Sequence, residues 1–397
     1  MVNIAILGFG VVGSGTAEVL TKNLSLIEER IHKKLNIKYI LDLRDFPESP
    51  FGHLVTHDFN QILEDPEVSI VAEMMGGSHP AYDFSLACLR AGKSVVTSNK
   101  EVVATFGDEL LAEAKAHGVR YLFEASVGGG IPILRPLTND LSANTILSID
   151  GILNGTTNYI LTQMRTANTD FAVALKSAQE KGYAEANPSA DIEGVDAARK
   201  ITILAALSYG TLLDPNKIYT EGITRITTED MEIARLLGYA IKLIGHCEKQ
   251  GDNVLAMVSP RLVPLSNPLY TIDDVFNGIL VETDMLGTTL FYGKGAGKLP
   301  TASAVVGDII DIAKNPKNDP AAPLFTKDEK MASFGDSVCR NLLVISAADS
   351  ATVADVAERI EHIGEKLAIV TKPISEAACA DLCNALGCNL VSRIRIL

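Results

Sequence analysis

The first 125 residues alternate between short apolar runs and longer amphipathic stretches. The apolar runs cover residues 2–7, 37–43, 70–74, 94–97 and 120–125. Between these runs, apolar side chains recur at helical spacing, for example in residues 11–20 and 107–117. Because strands joined by helical crossovers lie parallel, this pattern predicts a doubly wound parallel α/β sheet.

The pattern becomes mixed after about residue 145. A strand over residues 146–153, a helix over 158–165 and a second helix after Asp191 predict an α+β domain. Residues 291–297 and 301–312 then combine a glycine turn with a helix, which we expect to pack back on the first domain.

A linker rich in Pro, Asn and Lys at residues 314–323 separates a last segment. The segment predicts a strand, a helix, a strand, a helix and a strand, over residues 341–347, 353–363, 367–371, 375–386 and 388–397. We therefore expect three domains: residues 1–130 (completed by about 291–313), residues 131–313, and a small α/β module over 330–397.

Composition supports a globular protein and excludes several classes. The 397 residues are 47% hydrophobic and 21% charged, as in ordinary folded domains. The net charge of -14 disfavours a nucleic-acid partner, and the most apolar stretch, residues 201–213, is too short to cross a membrane. The first residues lack the basic region of a signal peptide, and the six cysteines are mostly scattered, so we expect a cytoplasmic protein.

A glycine-rich turn follows the first predicted strand and opens the first predicted helix. Its residues are Gly8, Phe9, Gly10, Val11, Val12 and Gly13. In this setting the glycines permit a tight turn, a close approach of pyrophosphate to the backbone and close helix packing. The turn predicts a Rossmann-type dinucleotide-binding domain; the alternative is a purely structural glycine turn.

The end of the second predicted strand should contact the adenosine ribose of such a cofactor. Asp42, Arg44 and Asp45 lie there. An acid would bind the ribose hydroxyls of NAD, and Arg44 would accept the 2'-phosphate of NADP. Both types are present, so the choice between NAD and NADP stays open, and solvated loop charges are the alternative.

Ser98, Asn99 and Lys100 lie just past the fourth predicted strand. Ligands of doubly wound sheets bind at this carboxyl edge. Lys100 is therefore a candidate contact for the nicotinamide ribose or the substrate; a lysine exposed at a helix start is the alternative.

Asp196 and Lys200 are four residues apart at the start of a strongly apolar helix. The helix face that carries this pair continues through the apolar Ile203 and Leu207. The pair should therefore lie at the solvent-accessible end of a buried helix face. Partial burial would lower the lysine pKa while Asp196 keeps the amine protonated, which suits a proton donor. The alternative is an ordinary helix ion pair. Upstream, the loop of residues 182–188 carries Glu185, which can hold a substrate ammonium.

Glu124 precedes the glycine cluster of residues 128–130. A sharp bend there would leave carbonyl oxygens outside regular structure, and carbonyls with one carboxylate suit a hard cation such as Na⁺ or Ca²⁺. A plain hinge is the alternative. Histidines and cysteines show no zinc spacing.

Six segments taken in order resemble the homoserine dehydrogenase family. They are GFGVVGSGT, TSNKEVVA, FEASVGGGIPI, GILNGTTNYIL, GYAEANPSADIEGVDAARK and GKGAG, spread over residues 2–312. The resemblance implies NAD(P)-dependent interconversion of L-homoserine and L-aspartate 4-semialdehyde, on the route to threonine and methionine. It also implies a homodimer or higher oligomer formed through the second, catalytic domain.

The resemblance also implies roles for single residues. Lys200 corresponds to the proton donor and Lys100 to the second lysine of the site, while Glu185, Asp191 and Asp196 correspond to substrate contacts. Gly182, Glu185 and Gly297 correspond to cofactor contacts beside those named above. The family's monovalent cation site, with Na⁺ as the expected ion, would fall on Glu124 and the carbonyls of Val127, Gly129 and Ile131.

The C-terminal module resembles an ACT regulatory domain, a βαββαβ unit. The pattern predicts one middle strand fewer than that unit has, and the first strand-to-helix loop, residues 349–352, lacks a glycine. We therefore expect weak or no feedback by threonine. Two rival interpretations of the whole chain are a dehydrogenase for another amino-acid semialdehyde and a nucleotide-binding regulatory protein without a proton donor.

Overall fold

The computed structural model describes residues 1–317, 325, 327, 330–346 and 350–397. These residues form two compact units. Unit 1 comprises residues 1–144, 202–214 and the described residues between 291 and 327; unit 2 comprises residues 145–201, 215–290 and the described residues from 330 to 397.

The helices and strands follow the chain in a fixed order. Up to residue 144 they are β1 (Val2–Leu7), α1 (Val11–Lys22), α2 (Leu24–Ile31), β2 (Leu35–Leu41), β3 (Val55–Thr56), α3 (Phe59–Leu63), β4 (Val68–Glu73), α4 (Ala81–Arg90), β5 (Ser94–Thr97), α5 (Lys100–Ala116) and β6 (Tyr121–Leu122). Then come β7 (Ile146–Ile152), α6 (Gly155–Thr166), α7 (Phe171–Glu180), α8 (Ser189–Ile192), α9 (Val195–Tyr209), β8 (Tyr219–Thr220), α10 (Thr228–Leu236), β9 (Tyr239–Gln250), β10 (Asn253–Pro264), β11 (Phe276–Thr283) and β12 (Gly287–Lys294). The last are α11 (Lys298–Lys314), β13 (Val338–Cys339), β14 (Asn341–Ser346), α12 (Ser350–Val353), β15 (Ala357–Ile363), β16 (Lys366–Thr371), β17 (Ile374–Ser375), α13 (Glu376–Leu386) and β18 (Leu390–Ile396).

Unit 1 is built on a six-stranded sheet with the order β3-β2-β1-β4-β5-β6, and its paired strands are parallel. Ile4 and Ile6 of β1 are fully buried in a core that also includes Leu20 of α1 and Ile309 of α11. This confirms the predicted doubly wound parallel sheet. All six carboxyl ends reach the same edge, which is where such sheets bind nucleotides.

Two strand predictions in unit 1 need correction, and a third strand was not predicted. The second strand ends at Leu41 instead of residue 43, so Asp42 is the first residue beyond it. The strand predicted over 120–125 contains only Tyr121–Leu122, because the chain turns at Glu124, whose amide donates to the buried carboxylate of Asp308. β3 has two residues and carries too little pattern for sequence analysis to find.

Unit 2 contains a mixed sheet with the order β12-β11-β7-β9-β10-β18-β14-β16-β15, with β8 beside β10. The 12-residue strands β9 and β10 form an antiparallel hairpin at its centre. A core of Ile152, Ile244, Val263, Leu269 and Ile272 packs with them. The mixed pairing confirms the predicted α+β class, although these long strands had no counterpart in the sequence analysis.

The C-terminal module has the complete order β14, α12, β15, β16, α13, β18, and the predicted helix over residues 353–363 is wrong. Only Ser350–Val353 is helical, and β15 pairs antiparallel with β16. Apolar residues at 353, 356, 360 and 363 imitate helical spacing. The hairpin is set by the turn after Ile363, where Gly364 has a φ of 59°, a conformation that glycine adopts without strain.

The module is therefore a full βαββαβ unit and lacks no middle strand. Most of the linker predicted at 314–323 and the first residue of the loop 349–352 lie outside the described residues. Weak threonine feedback stays a prediction, and it now rests on the missing glycine alone. Within the described part of the chain, no helix is long and apolar enough to span a membrane.

Candidate active site

The glycine turn between β1 and α1 has the geometry of a nucleotide-binding loop. Gly8 adopts a φ of 87°, and a Cβ added to Gly13 would lie 2.0 Å from the Gly8 carbonyl oxygen. A Cβ added to Gly10 would meet nothing within 4 Å. The turn thus requires glycine at position 8 and the helix packing requires it at position 13, whereas the space next to Gly10 is open. Phe9, Val11 and Val12 complete the turn, and Val11 is exposed.

Asp42 and Arg44 form one hydrogen-bonded pair at the end of β2. The Asp42 carboxylate accepts from the Phe9 amide at 2.8 Å and from Arg44 Nε at 3.0 Å. Burial by itself would raise the pKa of Asp42, but the hydrogen bonds from Arg44 and Phe9 lower it to about 2. Arg44 keeps 65% of its side chain exposed. The guanidinium is therefore accessible and has its charge partly balanced by Asp42.

The turn from β5 to α5 carries Ser98, Asn99 and Lys100. Asn99 caps α5 by accepting from the Val102 amide, and its Nδ2 donates to the Gly77 carbonyl at 2.7 Å. Lys100 is the first residue of α5 and is half-buried. The structure thus places Lys100 at the carboxyl edge of the parallel sheet, as its position in the sequence predicts.

Unit 2 contains a buried cluster around Lys200. α9 puts Asp196 and Lys200 one turn apart, and Lys200 is only 8% exposed. Lys200 Nζ donates to Asp196 Oδ2 and to the carbonyl oxygen of Leu153, both at 2.7 Å. The pair is therefore not a solvated helix ion pair, because both charges are buried and the amine has a second, fixed acceptor.

Asn154 joins this cluster, and sequence analysis assigned it no role. Its Nδ2 donates to Asp191 Oδ1 at 2.7 Å and to Asp196 Oδ2 at 2.9 Å, while its Oδ1 caps α6. The signal available was an Asn followed by Gly-Thr-Thr at a helix start. Asp191, Asp196 and Lys200 are thereby brought together as predicted, with Asn154 fixing the two acids.

Glu185 lies in the loop between α7 and α8. It is exposed in the loop after α7, where Gly182 adopts a φ of 73° and Gln179 Nε2 donates to the Glu185 carbonyl. The loop is attached to α6 through Thr156, whose hydroxyl donates to the Tyr183 carbonyl at 2.6 Å.

The bend after Glu124 is held by the buried carboxylate of that residue. Oε1 accepts from the amides of Ile133 and Leu134, and Oε2 accepts from the amide of Arg135. Oε2 therefore retains one acceptor position. Among the described residues, no hydrogen-bond donor reaches the carbonyl oxygens of the buried residues Val127, Gly129 and Ile131. Unpaired carbonyls in the same bend as a carboxylate are the kind of oxygen ligands that a hard cation takes.

The late glycine segment lies against this bend inside unit 1. The Gly130 amide donates to the Lys294 carbonyl, and a Cβ on Gly129 would lie 2.3 Å from the Gly295 carbonyl oxygen. Gly297, with a φ of 119°, caps α11, whose first residues pack on Gly15 of α1. The GKGAG and SVGGG segments are thus brought together although they are far apart in sequence.

A Rossmann-type sheet with an open glycine turn is typical of dinucleotide-binding enzymes, and a buried lysine and carboxylate pair suits the proton transfer of a nicotinamide-dependent oxidoreductase. Family models for the homoserine dehydrogenase NAD-binding domain and for homoserine dehydrogenase match residues 8–124 and 132–310. The chain belongs to the homoserine dehydrogenase family. The alternative of a nucleotide-binding protein without catalytic activity is thereby set aside.

Individual relatives agree with this assignment. The homoserine dehydrogenase of Neisseria gonorrhoeae is 44% identical over 81% of this chain and 74% of that protein. The enzyme of Mycobacterium bovis is 37% identical over 97% and 94%. A homoserine dehydrogenase structure from Thiobacillus denitrificans superposes with a TM-score of 0.93 at 34% identity, covering 100% of this chain and 98% of that one. A hyperthermophilic archaeal homoserine dehydrogenase in complex with NADPH has a TM-score of 0.68 at 29% identity, covering 80% and 99%.

Proposed function

We propose that this chain interconverts L-homoserine and L-aspartate 4-semialdehyde with Lys200 as the proton donor. The observation that carries the role of Lys200 is its buried, doubly hydrogen-bonded amine. The neighbouring Asp196 carboxylate favours the charged ammonium, and the Leu153 carbonyl fixes its direction. A proton donor has to be protonated and fixed in direction before the reaction begins.

The nicotinamide ring of NAD or NADP, when bound, supplies or takes up the hydride. This chain's residues do the remaining work. Lys200 donates a proton to the oxygen of the aldehyde as that oxygen gains negative charge, and Lys100 adds a second positive charge at the start of α5. In the opposite direction, the neutral amine of Lys200 accepts the proton of the homoserine hydroxyl.

Acidic residues are proposed to bind the amino group of the substrate. Asp191 and Asp196 are fixed by Asn154, so their oxygens do not have to reorganise when the substrate binds. Glu185 belongs to an exposed loop and is proposed as the contact that closes on the substrate or the cofactor. Gly182 gives that loop its turn.

The cofactor is proposed to lie along residues 8–13, with its pyrophosphate near Gly10 and its adenosine ribose near Asp42 and Arg44. Ser98, Asn99, Lys100 and Gly297 are proposed as further contacts. The balance of charges favours NADP, because Arg44 is accessible and the charge of Asp42 is already engaged by Arg44 and the Phe9 amide.

A monovalent cation such as Na⁺ is proposed at Glu124 and the carbonyls of Val127, Gly129 and Ile131. The unpaired carbonyls and the remaining acceptor position of Glu124 support it. The cation would neutralise these oxygens and hold the bend in place.

A cytoplasmic location and a homodimer or higher oligomer complete the proposal. All six cysteines are free thiols, as in a reducing compartment. Unit 2 also exposes large apolar side chains, among them Met285 and Leu286, which suit a subunit contact. The mass in solution, measured by light scattering, tests the oligomer.

The experiment for the function is an absorbance assay at the NADPH band. Purified protein with aspartate semialdehyde should oxidise NADPH, and with homoserine it should reduce NADP. Glutamate semialdehyde serves as the control substrate, with one more methylene. Equal rates with both aldehydes would favour the rival interpretation, a dehydrogenase for another semialdehyde, and no oxidation with either would contradict the proposal.

A further inference from the structure

Glu73 is a fully buried acid that the mechanism above does not use. It is the last residue of β4, so its side chain lies at the carboxyl edge of the parallel sheet. In the described part of the chain, no ion pair reaches its carboxyl group. Burial raises the pKa of Glu73 to about 7, against the opposing effect of hydrogen bonds from Thr97, Met75 and Asn99. A buried acid without a cationic partner is costly, and its position at a ligand-binding edge points to a functional role.

The hydrogen bonds of Glu73 lead directly to the turn that carries Lys100. Thr97 Oγ1 donates to Glu73 Oε2 at 2.6 Å, and the Met75 amide donates to Oε1 at 2.7 Å. The Asn99 amide in turn donates to Thr97 Oγ1 at 2.9 Å. Because the single hydroxyl hydrogen of Thr97 goes to Glu73, the threonine oxygen is oriented to accept from Asn99.

Asn99 extends this chain of hydrogen bonds to two further segments. Its side chain donates to the Gly77 carbonyl and accepts from the Val102 amide, so it connects the loop after β4 with the first turn of α5. One carboxyl group thus fixes two neighbouring loops at the edge where the cofactor is proposed to bind. Lys100 follows Asn99 directly, so the backbone position from which its side chain extends depends on this chain of bonds.

We propose that Glu73 is a positioning residue, which through Thr97 holds the turn of residues 98–100 in the conformation required for hydride transfer. This inference rests on the proposed function, and it adds a residue outside the predicted site. Glu73 does not touch the reacting atoms. It acts on the placement of Asn99 and Lys100.

Protonation of Glu73 should change this chain of bonds without breaking it. The ionised carboxylate accepts from Thr97, whereas the neutral acid has a proton of its own and can donate to Thr97 Oγ1. The hydroxyl hydrogen of Thr97 must then turn away. The turn at Asn99 would therefore have two hydrogen-bonded states, exchanged by one proton.

Few other titratable groups face Glu73. β1 contributes the apolar Leu7 beside it and β5 contributes Thr97. On β6, Tyr121 is fully buried; burial and then the charge of Glu73 raise its pKa, so it stays neutral near pH 7. On α11, Asp308 is bound by Arg135 and the Glu124 amide instead. Burial and the charge of Glu124 raise the pKa of Asp308 to about 7 as well, so a pH effect near 7 is assigned to Glu73 only where it disappears in Glu73→Gln.

The test compares four variants with the wild type. Glu73→Gln keeps the shape and mimics the neutral acid, because its amide can donate to Thr97 while its oxygen accepts from Met75. Thr97→Val removes the connecting hydroxyl, and Thr97→Ser retains it. Glu67→Gln is the matched control, since Glu67 is an exposed acid just before β4 whose side chain binds Lys38.

Two readouts separate positioning from mere stability. The first is the pH profile of kcat/KM between pH 6 and 9: the wild type should show a transition near 7, and Glu73→Gln should lack it. The second is hydrogen exchange of the amides of residues 98–103 in the protein without substrate. Thr97→Val should speed this exchange roughly 10-fold and lower kcat by a similar factor, while Thr97→Ser and Glu67→Gln should stay close to the wild type.

The outcomes distinguish this inference from the proposed function. A wild-type transition near 7 that persists in Glu73→Gln, or unchanged amide exchange in Thr97→Val, would overturn the role of Glu73. Absence of homoserine dehydrogenase activity in the wild type would instead overturn the proposed function. The exchange measurement would still show whether Glu73 and Thr97 hold the turn of residues 98–100 in place. If Glu73→Gln does not fold, the Thr97→Val and Thr97→Ser pair carries the test.

Discussion

At the residue scale, the same type of ion pair has different consequences in two places. Lys200 and Asp196 are both buried. Lys200 also donates to the Leu153 carbonyl and Asp196 also accepts from Asn154, so the amine is fixed in direction. Arg44 and Asp42 lie at a sheet edge, where the guanidinium remains accessible. An exposed ion pair contributes little stability, whereas breaking a buried one is costly. The buried amine of Lys200 is therefore fixed, as the proposed proton donor requires, whereas the accessible Arg44 can adapt to a ligand, as the proposed cofactor contact requires.

For Lys200, we expect Lys200→Ala to cost roughly 2 to 4 kcal/mol in the chemical step, because the proton donor is removed. Cofactor affinity should change little. Turnover is followed at the NADPH band, and affinity is measured by NADPH fluorescence. The matched control is Lys176→Ala, since Lys176 is also paired with an acid four residues away, Glu180, but is exposed on α7. Near-normal turnover in Lys200→Ala would rule out its role as proton donor.

For Arg44, we expect Arg44→Ala to weaken NADPH binding roughly 10-fold and NADH binding much less. The reason is that only NADPH has the 2'-phosphate that the guanidinium would bind. Dissociation constants for both cofactors are measured by titration, with Arg90→Ala, which removes an exposed arginine of α4, as the control. Equal losses for the two cofactors would show that Arg44 serves only to hold Asp42.

At the element scale, several of the proposed functional positions lie at the start of a helix. α1 begins at the glycine turn, α5 begins at Lys100 and α6 is capped by Asn154. The unpaired amides at such ends bind anions or side-chain oxygens, so each helix start can hold a ligand or a catalytic group in place. The bend at Glu124 uses the same chemistry, with a carboxylate accepting from three consecutive amides.

Within the glycine turn, Gly10→Val should affect cofactor binding, whereas Gly13→Ala should affect the stability of the fold. Gly10→Val should weaken NADPH binding and leave the fold intact, because its Cβ meets nothing within 4 Å. Gly13→Ala should destabilise the protein, because its Cβ would lie 2.0 Å from the Gly8 carbonyl oxygen. Fluorescence titration and thermal unfolding are measured for both. Unchanged cofactor affinity in Gly10→Val would mean that the turn serves packing only.

At the bend, replacing Na⁺ with choline at constant ionic strength should lower the midpoint of thermal unfolding by about 2 to 4 °C, since a ligand of the folded state stabilises it. The effect should vanish in Glu124→Gln and persist in Glu67→Gln. A midpoint that does not respond to the cation in the wild type would contradict the site.

At the scale of the whole molecule, two buried acids make stability depend on pH. Burial raises the pKa of Glu73 to about 7, and burial together with the charge of Glu124 raises that of Asp308 to about 7. Their ordinary values are 4.5 and 3.8. The folded state therefore binds more protons than the unfolded state between about pH 4 and 7, and the stability that these acids contribute is lost as the pH rises through 7.

We expect the free energy of unfolding to fall by about 3 kcal/mol between pH 4.5 and 8 through Glu73 alone, at 1.36 kcal/mol per unit of pKa. Asp308 should add to the fall. Urea unfolding at several pH values measures it, and Glu73→Gln and Asp308→Asn should each flatten the dependence. Glu67→Gln should keep the wild-type slope. A stability that rises between pH 5 and 8 in the wild type would contradict the assignment.

The sequence by itself determined the class of the first sheet, the glycine turn and the pairing of Asp196 with Lys200. These features depend on local periodicity and on spacings of a few residues, which are visible in one stretch of chain. The tertiary structure alone decided which distant groups meet. It added Asn154 to the lysine cluster, joined Glu73 to Thr97, and turned residues 357–363 into a strand beside β16. Burial and cross-strand pairing depend on partners far along the chain, and no local pattern encodes them.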